Sequence, residues 1–107
     1  MKPRVSVITI GVDNLDVSLK FYRDGLGLET DGIIGTEFEH GAVVFFDFQY
    51  GVKLALFPRE DLARDAHVKQ SPRSTTEFSL GHVVATEAEV DAIMRQATGA
   101  GARVVKN

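Results

Sequence analysis

A unit made of a strand, a helix cap, a helix and a pair of glycines occurs twice in the chain, and this repetition constrains the fold more than any other feature of the sequence. In the first unit, residues 5–12 are rich in β-branched side chains and predict a strand. Asp13 or Asn14 is a good helix N-cap. The helix that follows can end at Gly25 and Gly27, because glycine tolerates the left-handed closing conformation.

The second unit has the same order. Residues 77–85 predict a strand, and Thr86 with Glu89 forms a capping box that begins a helix. Gly99 and Gly101 end this helix, and residues 102–105 predict the start of another strand. The duplication indicates a domain of two related modules. We expect the first module at about residues 5–57, a linker at 58–76 and a partial second module at 77–107.

The remainder of the first module reads as three strands. Residues 32–36 give a weak signal, whereas 42–49 and 52–57 form a strong hairpin pattern around Tyr50-Gly51. Alternation places Phe45 and Asp47 on one face of the hairpin, together with Lys53, Ala55 and Phe57. The polar linker that follows, with its two prolines and a charged stretch, predicts a connection with one short helical turn.

Composition excludes several function classes. The chain has 107 residues, 44% of them hydrophobic and 25% charged, which is typical of a single globular domain. A net charge of −3 argues against a nucleic-acid partner, and no basic amphipathic stretch supports a membrane partner. The sequence contains no Cys, so disulfides and Cys-ligated metals are excluded. The N-terminus runs directly into the first strand without a secretory pattern, so we expect a cytoplasmic protein.

A family resemblance follows from the helix motifs. Residues 8–22 (ITIGVDNLDVSLKFY), followed by Leu26-Gly27-Leu28, resemble the opening signature of the glyoxalase/bleomycin-resistance/extradiol-dioxygenase superfamily, also called the vicinal-oxygen-chelate superfamily. Residues 87–93 with 100–102 resemble its second-module helix. The resemblance implies an α+β fold in which paired βαβββ modules form a curved mixed sheet around a cavity. Here the second module is expected to be truncated, or completed by strands of a partner chain.

The resemblance also implies where the ligands of a metal ion would lie. Metal-dependent members place a His, Gln or Glu on the first strand of each module and a Glu on the last strand of each. Those positions fall on Val7, Ala55 and Ser79, and the fourth lies beyond Asn107. Val and Ala have no donor atom and Ser is a rare ligand. We therefore expect no metal cofactor, although the family often uses a divalent ion.

The remaining candidate residues are polar or aromatic. Asp47 is a candidate catalytic carboxylate if it lies in an apolar cavity, where burial would suit it for proton transfer, and the alternative is an ion pair with Lys53 near a strand end. His82 is interpreted as a packed histidine in preference to a ligand, and His40 and His67 as exposed. The predicted ligand-binding residues are Val7, Thr9, Phe45, Asp47, Ala55, Phe57 and Ser79.

Two functions remain open. The first is a homodimeric protein that binds a small apolar or aromatic molecule in the sheet cavity without metal. The alternative is a glyoxalase-type lyase or isomerase, or a dioxygenase, that acts on a small oxygenated substrate. A third possibility is a structural module whose cavity is filled by its own side chains. Fold alone does not choose between them.

Overall fold

The protein is described by a computed structural model that covers residues 1–105. It contains four strands and three α-helices in the order β1–α1–β2–β3–β4–α2–α3. Their bounds are Val7–Val12 (β1), Leu15–Lys20 (α1), Thr30–Ile34 (β2), Val43–Asp47 (β3), Lys53–Pro58 (β4), Arg59–Asp65 (α2) and Glu87–Gly99 (α3). Helix α1 continues as a π-helical turn over Phe21–Gly25, and a 3-10 turn over Gln49–Gly51 joins β3 to β4.

The strands form one open, mixed sheet in the order β1-β4-β3-β2. Strand β1 runs parallel to β4, while β4 pairs antiparallel with β3 and β3 with β2. Parallel neighbours need a long crossover, and the chain from α1 to β3 provides it. This is one complete βαβββ module, so the predicted α+β class is confirmed.

The core lies between α1 and one face of the sheet. Alternation brings the apolar residues of each strand to this face, because successive side chains point to opposite sides. Eight buried apolar residues form the core of the described chain: Ile10, Leu15, Leu19, Val44, Phe46, Leu54, Ala55 and Leu56. All but Ala55 belong to a single packed cluster on the α1 side of the sheet.

The helix caps form where the sequence predicts them. The side chain of Asn14 accepts a hydrogen bond from the Val17 amide at 3.1 Å, and the Thr86 hydroxyl accepts one from the Glu89 amide at 3.1 Å. Each satisfies a backbone N–H that the first helical turn leaves without a partner. Gly27 follows the first helix with a φ of 73°, a conformation that favours glycine.

Tyr22 closes the core at the end of the first helix. Its ring lies 5.8 Å from that of Phe46 and 5.1 Å from that of Phe21, measured between ring centroids. Burial raises the pKa of the Tyr22 hydroxyl above its ordinary value of 10.0, because the phenolate would be poorly solvated there. The neutral tyrosine is therefore part of the packed core.

The second unit departs from the predicted pattern. Residues 77–85 and 102–105 are not strands, so both of those predictions are wrong. A strand requires a hydrogen-bonded neighbour, and residues 78–80 instead line a cleft beside β1. His82 is exposed, so its predicted packing is also wrong, whereas His40 and His67 are exposed as predicted. The last two residues of the predicted second module, 106 and 107, lie outside the described part of the chain.

Two further observations concern helices. Helix α2 begins directly after Pro58 and has seven residues, longer than the single turn that the linker predicted. Within residues 1–105, no helix combines the length and the apolar character needed to cross a bilayer.

Candidate functional site

Six of the seven predicted ligand-binding residues lie on one side of the sheet. The strand register aligns Thr9 with Ala55 and Ala55 with Phe45, and it aligns Lys53 with both Val7 and Asp47. We call this side the open face; it consists of the side opposite α1 and carries Val7, Thr9, Phe45, Asp47, Lys53, Ala55 and Phe57. The sequence alternation correctly assigned the five hairpin residues of this set to one face, because residues two apart in a strand point the same way.

The open face has three successive rows that differ in chemistry. At one end Gly11 and Phe57 are paired, and helix α2 lies so close that a Cβ on Gly11 would be 3.0 Å from the Cγ of Arg59. The middle row has Thr9, Ala55 and Phe45. The face is therefore apolar toward α2, with the Thr9 hydroxyl on its β1 side.

The opposite end of the open face carries an ion pair. The ammonium nitrogen (Nζ) of Lys53 lies 2.7 Å from a carboxylate oxygen of Asp47, and the Asp47 side chain is 78% exposed. Of the two environments considered for Asp47, the described chain has the exposed ion pair and not a buried carboxylate. A role for Asp47 in proton transfer stays a prediction.

The seventh predicted residue, Ser79, lies at a cleft of about 500 Å³ along the free edge of β1. Thr9 lines the same cleft, so the structure brings these two hydroxyl-bearing residues to one place. Its walls are mainly apolar and come from α2 and from the segment before α3, including Leu62, Phe78 and Leu80. The cleft and the open face meet at Thr9 because β1 borders both.

A nearly buried arginine holds one wall of this cleft. The Arg59 side chain is only 10% exposed and lies 3.1 Å from a carboxylate oxygen of Glu77 and 3.8 Å from one of Asp13. It also donates a hydrogen bond to the backbone carbonyl of Ser71 at 2.7 Å. One guanidinium thus joins the start of α2 to the end of β1 and to the second unit, which orients the cleft. A buried charge of this kind needs such partners.

The residues at the family's metal positions do not supply a donor set. Val7 and Ala55 carry no donor atom, and Ser79 offers a single hydroxyl. The row that contains Val7 also carries the ammonium of Lys53, a positive charge that disfavours a cation beside it. Within residues 1–105, no group of three or more His, Cys, Asp or Glu side chains is arranged to hold a metal ion.

Two residues of the site were missed at the sequence level. Lys53 was assigned to the correct face but not named as a site residue, although its alternation with Ala55 carried the signal. Arg59 belongs to the charged stretch of the predicted linker, a pattern that is typical of a solvated surface. Its burial depends on Asp13 and Glu77, which are distant in sequence, so no local pattern could have revealed it.

Comparison with known proteins establishes the family of this chain. The model of the Glyoxalase/Bleomycin resistance protein/Dioxygenase superfamily matches residues 4–107. The chain therefore belongs to this superfamily, which confirms the predicted resemblance. A comparison with curated proteins found no match.

Solved structures share the fold. A glyoxalase-related enzyme from Fulvimarina pelagi is 30% identical, with a TM-score of 0.71 over 92% of this chain and 66% of its own. Lactoylglutathione lyase from Agrobacterium tumefaciens is 24% identical, with a TM-score of 0.62 over 99% of this chain and 76% of its own. The present chain thus spans just under two thirds of the length of the Fulvimarina protein.

A third relative was solved with a metal. It is a mutant of a fosfomycin resistance protein from Listeria monocytogenes, complexed with Mn(II) and a dihydroxypropylphosphonic acid. It is 18% identical, with a TM-score of 0.55 over 94% of this chain and 67% of its own. At this identity the likeness concerns the fold alone.

Proposed function

We propose that this protein binds a small apolar or aromatic molecule on the open face of its sheet, without a metal ion. The observation that carries the proposal is the register that brings Phe45 to the same face as Val7 and Ala55, the two residues at which the family resemblance places metal donors. Side chains of this kind offer flat apolar surface and no lone pair. Binding would then be driven by removal of apolar surface from water and by contact with aromatic rings.

A few polar groups would orient the ligand. Ligand sites are mainly apolar with a small number of convergent polar groups, and here Thr9 and Ser79 bring hydroxyl groups to the cleft, as does Ser71. They offer both a donor and an acceptor without a charge. A ligand lying on Phe45 would have to extend past the buried Ala55 to reach Thr9 at the border of the cleft.

The same proposal includes a homodimer in the cytoplasm. Strand β1 has a free edge, and Val7 and Ile8 on it are 44% and 42% exposed. Helix α3 exposes Val90 and Met94 by similar fractions. An exposed strand edge beside apolar side chains is a hazard that a second copy can remove. The net charge of −3 favours neither nucleic acid nor an anionic membrane as partner.

Metal content and mass, measured together, test the proposal. We expect elemental analysis of the purified protein to find much less than one divalent ion per chain, and native mass spectrometry to find a dimer. About one bound divalent ion per chain would overturn the metal-free proposal, since such an ion would have to be held by donors other than the residues at Val7 and Ala55. A thermal-shift series with small aromatic compounds supplies the binding readout, because a ligand of the native state raises the Tm.

The alternative function is a glyoxalase-type lyase or isomerase, or a dioxygenase. It is favoured by the 30% identity to a glyoxalase-related enzyme over 92% of the chain. In this case Asp47 is the carboxylate on the open face that could move a proton. Its exposure and its ion pair with Lys53 make it a weaker candidate than a buried carboxylate would be.

The substitution Asp47→Asn tests this alternative. If Asp47 is the general base, we expect turnover of an α-oxoaldehyde adduct to fall by at least about a hundredfold, the usual contribution of a positioned acid or base. Steady-state rates of the variant and of the parent protein check the result. Asp31→Asn, at an exposed position of β2, is the matched control. Turnover that survives in Asp47→Asn excludes this role.

A further inference from the structure

The open face carries a positive charge of its own. Of the four strands as described, only β4 contains a Lys or Arg, and that residue is Lys53. Its register partners are Val7 on β1 and Asp47 on β3, so it stands in the row farthest from α2. Among the strand residues, Lys53 is therefore the one cationic group on this face, beside the carboxylate of Asp47 and the apolar side chains of Val7 and Phe45.

The ammonium group is held beside the aromatic part of that surface. The Nζ atom of Lys53 lies 6.0 Å from the centroid of the Phe45 ring and 2.7 Å from the carboxylate of Asp47. Ala55, which follows Lys53 on this face, is only 2% exposed, whereas Phe45 is partly exposed. The apolar surface accessible next to the charge is therefore mainly the ring of Phe45.

The existing ion pair does not fix the ammonium permanently. The side chain of Lys53 is 49% exposed and that of Asp47 is 78% exposed. Ion pairs this accessible to water contribute little to stability, because the solvent screens them. A ligand can therefore draw Lys53 away from Asp47, or share it, at little cost.

We propose that the ligand of the open face is a small aromatic or apolar anion, a carboxylate in the simplest case, whose charged group is bound by Lys53. Its apolar body lies over the ring of Phe45. The inference rests on the proposed function and adds to it the charge of the ligand. A charge-assisted hydrogen bond from the ammonium to the carboxylate supplies selectivity, while the apolar contact supplies most of the binding.

Asp47 has a defined place in this proposal. It is the counter-ion of Lys53 in the free protein and competes with the ligand for the ammonium. Its removal should therefore increase the affinity for an anion. A catalytic base at the same position would be recognised by a loss of turnover on its removal.

The test compares naphthoate with naphthamide, two ligands of nearly equal shape of which only the first is charged. Calorimetric titration at low ionic strength gives the Kd of each for the parent protein, Lys53→Met and Asp47→Asn. We expect naphthoate to bind about five- to tenfold more tightly than naphthamide to the parent protein. Lys53→Met keeps the alkyl stem but should abolish this preference. Asp47→Asn should enlarge it.

A matched control separates this local effect from net charge. Lys20→Met, on α1 at the opposite side of the sheet, removes the same charge and should leave the preference intact. Equal binding of naphthoate and naphthamide to the parent protein, with no change in Lys53→Met, would overturn the anion proposal while apolar binding stands. If neither compound binds to the parent protein, apolar binding on the open face and the anion proposal both fail.

Discussion

Replacing Phe46 by alanine is expected to lower the free energy of unfolding by about 3–5 kcal/mol, the cost of deleting a large aromatic side chain from a packed core. Phe46 is fully buried at the centre of the sheet, and its ring contacts that of Tyr22. Small domains have total stabilities of about 5–15 kcal/mol. The variant should therefore lose a large part of its stability, as measured by urea denaturation followed by circular dichroism.

Phe38→Ala is the matched control, because Phe38 is 68% exposed in the loop between β2 and β3. We expect it to change the free energy of unfolding by less than about 0.5 kcal/mol, as is usual at exposed positions. Similar values for the two variants would mean that the face of the sheet toward α1 is not the core. The register of β3 would then have to be assigned the other way round.

The second large effect is expected at Gly35. This glycine begins the turn after β2 with a φ of 79°, and a Cβ there would overlap the carbonyl oxygen of Gly41 just before β3. The left-handed conformation alone costs about 1–2 kcal/mol for alanine. The overlap is with backbone, which cannot rotate away. We therefore expect Gly35→Ala to lower the free energy of unfolding by about 2–4 kcal/mol.

Gly32→Ala separates the two causes. Gly32 has a φ of 82°, nearly that of Gly35, but a Cβ there would have no atom within 4 Å. Its alanine variant should cost only the conformational part, about 1–2 kcal/mol. Denaturation of both variants under the same conditions gives the difference. If Gly35→Ala proves no worse than Gly32→Ala, the close approach of Gly35 to Gly41 does not hold in solution.

The first module could be predicted from the sequence because its signals are local. Alternation in β3 and β4 separates Phe46 and Leu56 from Phe45 and Ala55, and the packed core cluster confirms this separation because it contains only the first two. The cap at Asn14 acts within one turn of helix and forms as predicted. Each of these patterns depends on neighbours within a few residues, so the sequence contains all the information they need.

The second unit could not be predicted in the same way. Residues 77–85 have the alternating composition of a strand, but alternation indicates only that a segment suits a sheet. The strand itself requires hydrogen bonds from a neighbour, and that neighbour is set by tertiary structure. The capping residue Thr86 requires no such neighbour, and its helix α3 forms as predicted.

The candidate site could be predicted only in part, because some of its contacts depend on strand register and on tertiary structure. The membership of the open face follows from alternation, whereas the ion pair between Asp47 and Lys53 depends on the register of two strands. The sequence alone left both environments of Asp47 possible, the buried carboxylate and the ion pair. The burial of Arg59 could not be predicted at all, since it depends on contacts with Asp13 and Glu77 across the fold.

The position of the core has a consequence for cooperativity. In the described chain every buried apolar residue lies between Ile10 and Leu56, and α3 contributes none. Helix α3 contacts the rest of the fold mainly where Gly25 approaches Ala100. The approach is so close that the glycine has no room for a side chain. Local opening requires only the contacts of the segment that opens to be lost. Helix α3 can therefore unfold locally while the sheet stays folded. A local probe should then measure different free energies of opening for the two units.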